Sequence, residues 1–241
     1  MTSADSGEIR RGQLALNLSF RPAMSREDFL VASSNEAAVR MVDLWPDWPA
    51  ASLLLVGPEG SGKSHLAEVF RMRAGGAKVQ ACELSTDDVP ALLSAGACVV
   101  EDLPLGSGPE GETALFHLLN LAKETRGYVL LTARSYPALW NIGLNDLKSR
   151  LNASPAVALG TPSDALLRGL LLKLFADRQI SVDESVLSYL VRNMERSGEA
   201  ARSIVNEIDR RSLEEKAAVT RPFASKVLRS VGSGEFADSG T

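Results

Sequence analysis

Cysteine is scarce in this 241-residue chain, with only Cys82 and Cys98 present. Neither has a histidine or a second cysteine at metal-ligand spacing, and two thiols make a thin disulfide framework, so a stapled secreted scaffold and a zinc module are both excluded. The expectation is two buried free thiols in a reducing compartment. A basic surplus is also missing. The chain has 26 Lys and Arg against 30 Asp and Glu, a net charge of −4, whereas a dedicated duplex-DNA binder carries excess cations to displace phosphate counterions. No strong direct DNA binding is expected, and the pairs Arg10-Arg11 and Arg210-Arg211 read as solvated faces. Long apolar runs are absent too. None reaches the roughly 18 residues needed to span a bilayer, and residues 1–20 lack the apolar centre of a secretory signal, so a cytoplasmic protein without membrane contact is expected. There is no internal repeat.

What is present is ordinary for a globular protein: 45% hydrophobic and 23% charged residues. The length suits one large domain, or a domain of about 150 residues with a smaller lid. Near the start, Gln13-Leu14-Ala15-Leu16-Asn17-Leu18-Ser19-Phe20 places leucines at every second position, an extended pattern closed by Pro22. Asn35 to Leu44 reads as a helix with Ser33 or Ser34 as its cap. Ser52–Val56 is a short apolar run bounded by turn formers, and so a buried strand. A helix follows over Ser64–Arg73, stopped by Gly75-Gly76. Further strands are expected at Lys78–Cys82, Ala97–Glu101, Tyr128–Thr132 and Ala156–Leu159, with helices over Thr86–Ser94 and Glu112–Thr125. Alternating strands and helices imply a parallel sheet flanked by helices. After Thr161-Pro162 the pattern changes to helices alone, at 163–178, 183–195, 199–216 and 221–229. The domain reading is an extended tail over 1–22, an α/β nucleotide-binding domain over 23–161, a helical lid over 162–230, and a disordered tail over 231–241.

The chemistry sits at Gly57-Pro58-Glu59-Gly60-Ser61-Gly62-Lys63-Ser64, which matches G-x-x-x-x-G-K-[ST]. Glycines let backbone N–H groups turn toward an anion, and the helix that follows adds its positive end. Lys63 is expected to reach the phosphates of an adenine nucleotide, ADP or ATP, and the Ser64 hydroxyl to ligate Mg²⁺. The preceding strand Leu53–Val56 and the following helix supply the context this motif needs. A second acidic element, Val99-Val100-Glu101-Asp102, ends a buried strand in carboxylates, where a metal and a water are held in such sites. Glu101 stands where Asp is usual. It is one methylene longer, which predicts slow hydrolysis by this chain and leaves binding untouched.

The succession of phosphate loop, Val-Val-Glu-Asp, Leu-Leu-Thr-Ala-Arg, Leu-Lys-Ser-Arg-Leu and a helical lid resembles the AAA+ ATPases over roughly residues 13–229, and within them the DnaA-related replication-initiator branch. The chain stops where an initiator would continue into a DNA-binding domain. It thereby looks like the Hda-type regulatory inactivators of that initiator. The resemblance implies that Gln13, Leu14, Leu16 and Leu18 dock on the sliding clamp, the beta subunit of DNA polymerase III, by laying alternate side chains into an apolar groove; by themselves these residues read equally well as an edge strand. It also implies that Arg150 is an arginine finger supplied in trans to the initiator DnaA, and that Arg202 is a sensor for this chain's own nucleotide. Glu101 and Asp102 take catalytic positions. His65, next to the loop, counts among the nucleotide-contacting residues in a structural role, and His117 reads as structural. Thr132 and Arg134 fall near the first sensor position, where Arg134 has no assigned role, and Asn35 reads as adenine-facing or as a helix cap. The implied function is negative regulation of replication initiation. The alternatives are an autonomous AAA+ motor such as a helicase loader, which would hydrolyse its own ATP, and a nucleotide-dependent scaffold. Homo-oligomers are compatible with any of these readings.

Overall fold

The computed structural model describes residues 30–104 and 108–232. The sequence pattern at 13–20, with Gln13, Leu14, Leu16 and Leu18 for which docking is expected, and the pair Arg10-Arg11 lie outside the described residues, as does the tail from 233 onward.

Five strands form one parallel sheet: β1 (Ser52–Val56), β2 (Ala77–Gln80), β3 (Ala97–Leu103), β4 (Tyr128–Ala133) and β5 (Ala156–Ala158), in the order β2-β3-β4-β1-β5. The central strands read as continuous apolar runs because both faces of the sheet are covered. Alternation then sorts their side chains. Leu54, Val56, Cys98, Val100, Val129 and Leu131 face one core, with Leu115 and Leu118 of α4 (Gly108–Thr125) and Leu147 of α5 (Asn145–Ala153). Leu53, Leu55, Ala97, Val99 and Leu130 face the other, with Val39 of α1 (Glu36–Asp43) and Phe70 of α2 (Lys63–Ala74). Trp48 stacks on Phe70 at 4.9 Å, and Trp45 meets Phe70 and Tyr128 edge-on.

The lid consists of α6 (Asp164–Asp177), α7 (Glu184–Asn193), α8 (Gly198–Glu215) and α9 (Arg221–Gly232) around its own core, which includes Leu171, Phe175, Leu190, Ile204, Ile208 and Val227. Ser163 and Ser197 cap α6 and α8 by accepting from Leu166 N and Ala200 N. Residues 30–34 touch both the lid and the sheet domain. Leu30 packs in the lid core, while Gly160 N donates to Ser34 O at 2.8 Å.

Several boundaries depart from the sequence reading. The second strand stops at Gln80 and turns into a 3-10 segment, Ala81–Glu83, which leaves Cys82 exposed; only Cys98 is the buried thiol expected. The helix expected over Thr86–Ser94 is a 3-10 turn, Thr86–Asp88, followed by a short α3 (Val89–Leu92), with Pro90 in its first turn where a missing N–H costs nothing. Neither Ser33 nor Ser34 caps α1. Asn35 stands at the N-cap, but its carboxamide turns back, accepting from Ala32 N at 2.9 Å and donating to Leu30 O at 3.0 Å. Arg210 is exposed, as a solvated face requires, but it and the less exposed Arg211 both bond Glu207, whose carboxylate is almost buried, so the pair also closes an ion cluster.

Candidate functional site

In a parallel sheet the carboxyl ends of the strands share one edge, and ligands bind in the crevice outside it. Here that edge carries the loop 57–62 after β1, Asp102 near the end of β3 and Arg134 after β4. The lid lies over it, and together they enclose a cleft of about 690 Å³. That volume falls in the range of small-ligand sites.

Two glycines allow the phosphate loop to bend. Gly60 has φ +72° and Gly62, the N-cap of α2, has φ +98°, both in the left-handed region where a side chain is strained. Lys63 opens α2. Its side chain is largely buried, and its ammonium donates to Gly57 O and Pro58 O, each at 2.8 Å. Burial pulls the amine's pKa below the ordinary lysine value, against the opposing pull of the Asp102 carboxylate. Ser61 is buried and its Oγ has no hydrogen-bond partner. An orphaned hydroxyl inside an anion-binding loop suits a ligand oxygen.

The lid closes the other side. Ser197 packs on Gly60 so closely that a Cβ built there would stand 2.6 Å from the serine Cβ. Arg202, from the first turns of α8, lines the cleft and reaches across to His65 of α2, with Nη2 2.6 Å from Nδ1. The apolar end of the cleft is made by Leu30, Leu166, Leu167 and Leu170, beside Asn35. Arg134, without a role from the sequence, pairs with Glu59 of the phosphate loop at 2.9 Å and also lines the cleft.

Of the residues singled out from sequence, Asn35, Glu59–His65, Asp102, Arg134 and Arg202 meet in the cleft, whereas Gly57 and Pro58 stand behind it with their carbonyls bonded to Lys63. Glu101 does not line it. Its side chain is 3% exposed and its Oε2 lies 3.0 Å from Lys78 Nζ. The expected metal pair of Ser64 and Glu101 is therefore divided: Ser64 faces the cleft, while Glu101 is committed to a lysine. Among the described residues no group of three or more His, Cys, Asp or Glu is placed to hold a metal. Thr132 is fully buried and its Oγ1 accepts from Asp102 N at 3.0 Å, so it supports the turn that exposes Asp102. Arg150 lies outside the cleft, half-buried on α5 with its guanidinium 5.2 Å above the Phe116 ring. His117 is exposed on α4. Sequence reasoning missed Lys78 and the leucines of the cleft, because neither a lysine in an edge strand nor a leucine in an amphipathic helix carries a local signal of ligand contact.

Residues 167–228 match the family described as Hda, lid domain. The chain is 24% identical over 199 residues to chromosomal replication initiator protein DnaA 1 of Chlamydia pneumoniae, covering 72% of this chain and 43% of the relative. It spans less than half the length of the curated relatives it matches. Domain III of the Thermotoga maritima replication initiation protein DnaA superposes with a TM-score of 0.72 at 16% identity, covering 88% of this chain and 98% of that one. AMPPCP-bound DnaA from Aquifex aeolicus superposes with a TM-score of 0.61 at 16% identity, covering 81% of this chain and 70% of that one. Among the described residues no helix is long and apolar enough to cross a membrane.

Proposed function

We propose, on the premise that this chain is a DnaA-related AAA+ protein with an Hda-like lid, that it is a nucleotide-bound adaptor which switches off the replication initiator. The cleft takes ADP or ATP. The amides of Gly60–Ser64 and the Lys63 ammonium hold the phosphates, Arg202 ties them to the lid, and Leu30 with Leu166 and Leu170 accommodates the base. A neighbour of the same fold is AMPPCP-bound, which supports this use of the cleft.

The observation that carries the adaptor reading is the position of Arg150. A guanidinium that stays out of its own chain's cleft, resting on Phe116 of a surface helix, is free to complete a cleft in another protein. In phosphoryl transfer an arginine supplied in trans stabilises charge on the transferring group and accelerates the reaction by about 10³–10⁵. The partner is the ATP-bound initiator DnaA, whose hydrolysis inactivates it and prevents re-initiation. Docking on the DNA polymerase III sliding clamp through Gln13, Leu14, Leu16 and Leu18 confines the reaction to replicating DNA. Hydrolysis by this chain itself is slow, since Glu101 is bound to Lys78, and its nucleotide acts as a support that keeps lid and loop together.

Clamp binding by the full chain, with ADP present, tests the docking step. The intact protein is expected to bind, and changing Gln13, Leu16 and Leu18 together to Ala is expected to abolish binding. An intact chain that does not bind the clamp removes the adaptor mechanism.

A further inference from the structure

We infer that the cleft holds its nucleotide without a divalent cation, because Lys78 takes the carboxylate that would otherwise ligate one. The inference rests on the nucleotide-binding reading above and deepens it.

Its basis is the register of two neighbouring strands. Lys78 of β2 pairs with Val99 of β3, and Gln80 pairs with Glu101. Lys78 and Glu101 are thus diagonal neighbours on the same face, within reach for two long side chains. Lys78 Nζ stands 3.0 Å from Glu101 Oε2, with the carboxylate 3% and the lysine 40% exposed. The second oxygen, Oε1, is buried and has no hydrogen-bond partner. Neither oxygen opens on the cleft, whereas Lys78 itself lines it. Just beyond, the pairing of β3 with β4 shifts between Val100 and Leu103, and Asp102 takes φ +62°. That irregularity separates the two acids: Asp102 turns outward to the cleft and Glu101 stays beneath it.

For Glu101 to bind Mg²⁺, the ion pair has to open. A nearly buried carboxylate gives up its fixed cation only at large cost, and the lysine must then find another counter-charge. Mg²⁺ is held in phosphate sites by one or two carboxylates in near-octahedral geometry. With Glu101 withdrawn, Glu59 paired with Arg134 and Glu68 paired with Arg71, Asp102 and Glu199 are the carboxylates of the cleft lining outside these ion pairs. The tethered ammonium of Lys78, together with Lys63 of the same lining, supplies positive charge that a bound cation would bring. The ligand class is a nucleoside di- or triphosphate as the free anion.

The test titrates the full chain with mant-ADP in buffer containing millimolar Mg²⁺ and again in EDTA. The two dissociation constants are expected to agree within about threefold. In Lys78→Met, which keeps the apolar stem and removes the charge, the affinity in EDTA is expected to fall by about tenfold or more, since a charge-assisted contact is lost, and Mg²⁺ is expected to restore it through the released Glu101. A drop of tenfold or more on moving the unaltered chain into EDTA overturns the inference while leaving nucleotide binding intact. Absence of mant-ADP binding in both buffers overturns the nucleotide-binding reading and the inference with it. The comparison on the unaltered chain needs no variant to fold.

Discussion

Changing Gly60 to alanine places a methyl group 2.6 Å from Ser197 Cβ and 3.4 Å from Arg196 O, at a residue with φ +72°. Carbon atoms pack best at about 3.5–4.0 Å, so lid and loop must separate by roughly 1 Å. The left-handed backbone adds about 1–2 kcal/mol for any residue with a Cβ, and overpacking of this kind adds about 1–3 kcal/mol. The expected total of roughly 2–5 kcal/mol corresponds to a fall in Tm of about 4–20 °C for a chain of this size. Ser197→Gly supplies the control. Glycine at an N-cap costs only a few tenths of a kcal/mol relative to serine, and it removes the atom that the new methyl meets first. Thermal unfolding of Gly60→Ala, Ser197→Gly and the double variant forms a cycle in which the double variant should recover about 1–2 kcal/mol of the loss. Gly62→Ala, with φ +98° and nothing within 4 Å of its Cβ, should show the backbone penalty alone. A cycle without coupling, or equal losses at Gly60 and Gly62, would refute the view that the phosphate loop is seated against the lid.

Two further outcomes follow from burial and charge. Cys98 is buried and its thiol pKa is pushed up to about 12, whereas Cys82 is exposed, so a thiol reagent at pH 8 should label one cysteine in the folded chain and two in denaturant; fast labelling of both would contradict the packing of β3. Glu207 is held below the ordinary carboxylate value of 4.5 by its hydrogen bond to Arg210 foremost, with Arg211 assisting. A depressed folded pKa means that the stabilisation is present above the unfolded value and is lost as pH falls through the folded one. Glu207→Gln should therefore lower Tm at pH 7, with the gap to the unaltered protein closing below about pH 4.5; a gap independent of pH would show that the side chain acts through packing alone.

Local signals carried much of the fold. A continuous apolar run ending in glycine placed β1, the phosphate loop and α2, and the change to helical pattern alone after Thr161-Pro162 placed the lid helices to within a few residues. The features that escaped depend on neighbours distant in sequence. α5 has little local signature, since only Leu147 and Leu151 mark its buried face and no side chain caps its start. Cys82 was expected to be buried because a strand was extended through it, when the chain turns after Gln80. At the site, the loop residues were legible because their spacing is itself the chemistry. The fate of Glu101 was not, since it depends on which strand lies beside β3 and in what register. Arg134 reached the cleft by the same kind of long-range placement, through its pairing with Glu59.

The central claim is that this chain acts on the nucleotide of another protein through Arg150. ATP hydrolysis by the initiator DnaA, measured with the DNA-loaded clamp and either the unaltered chain or Arg150→Ala, tests it most directly. The account predicts stimulation by the unaltered chain, and loss of about 10³-fold or more of the chemical acceleration in Arg150→Ala, with clamp and nucleotide binding unchanged. Equal stimulation by the two proteins would contradict it.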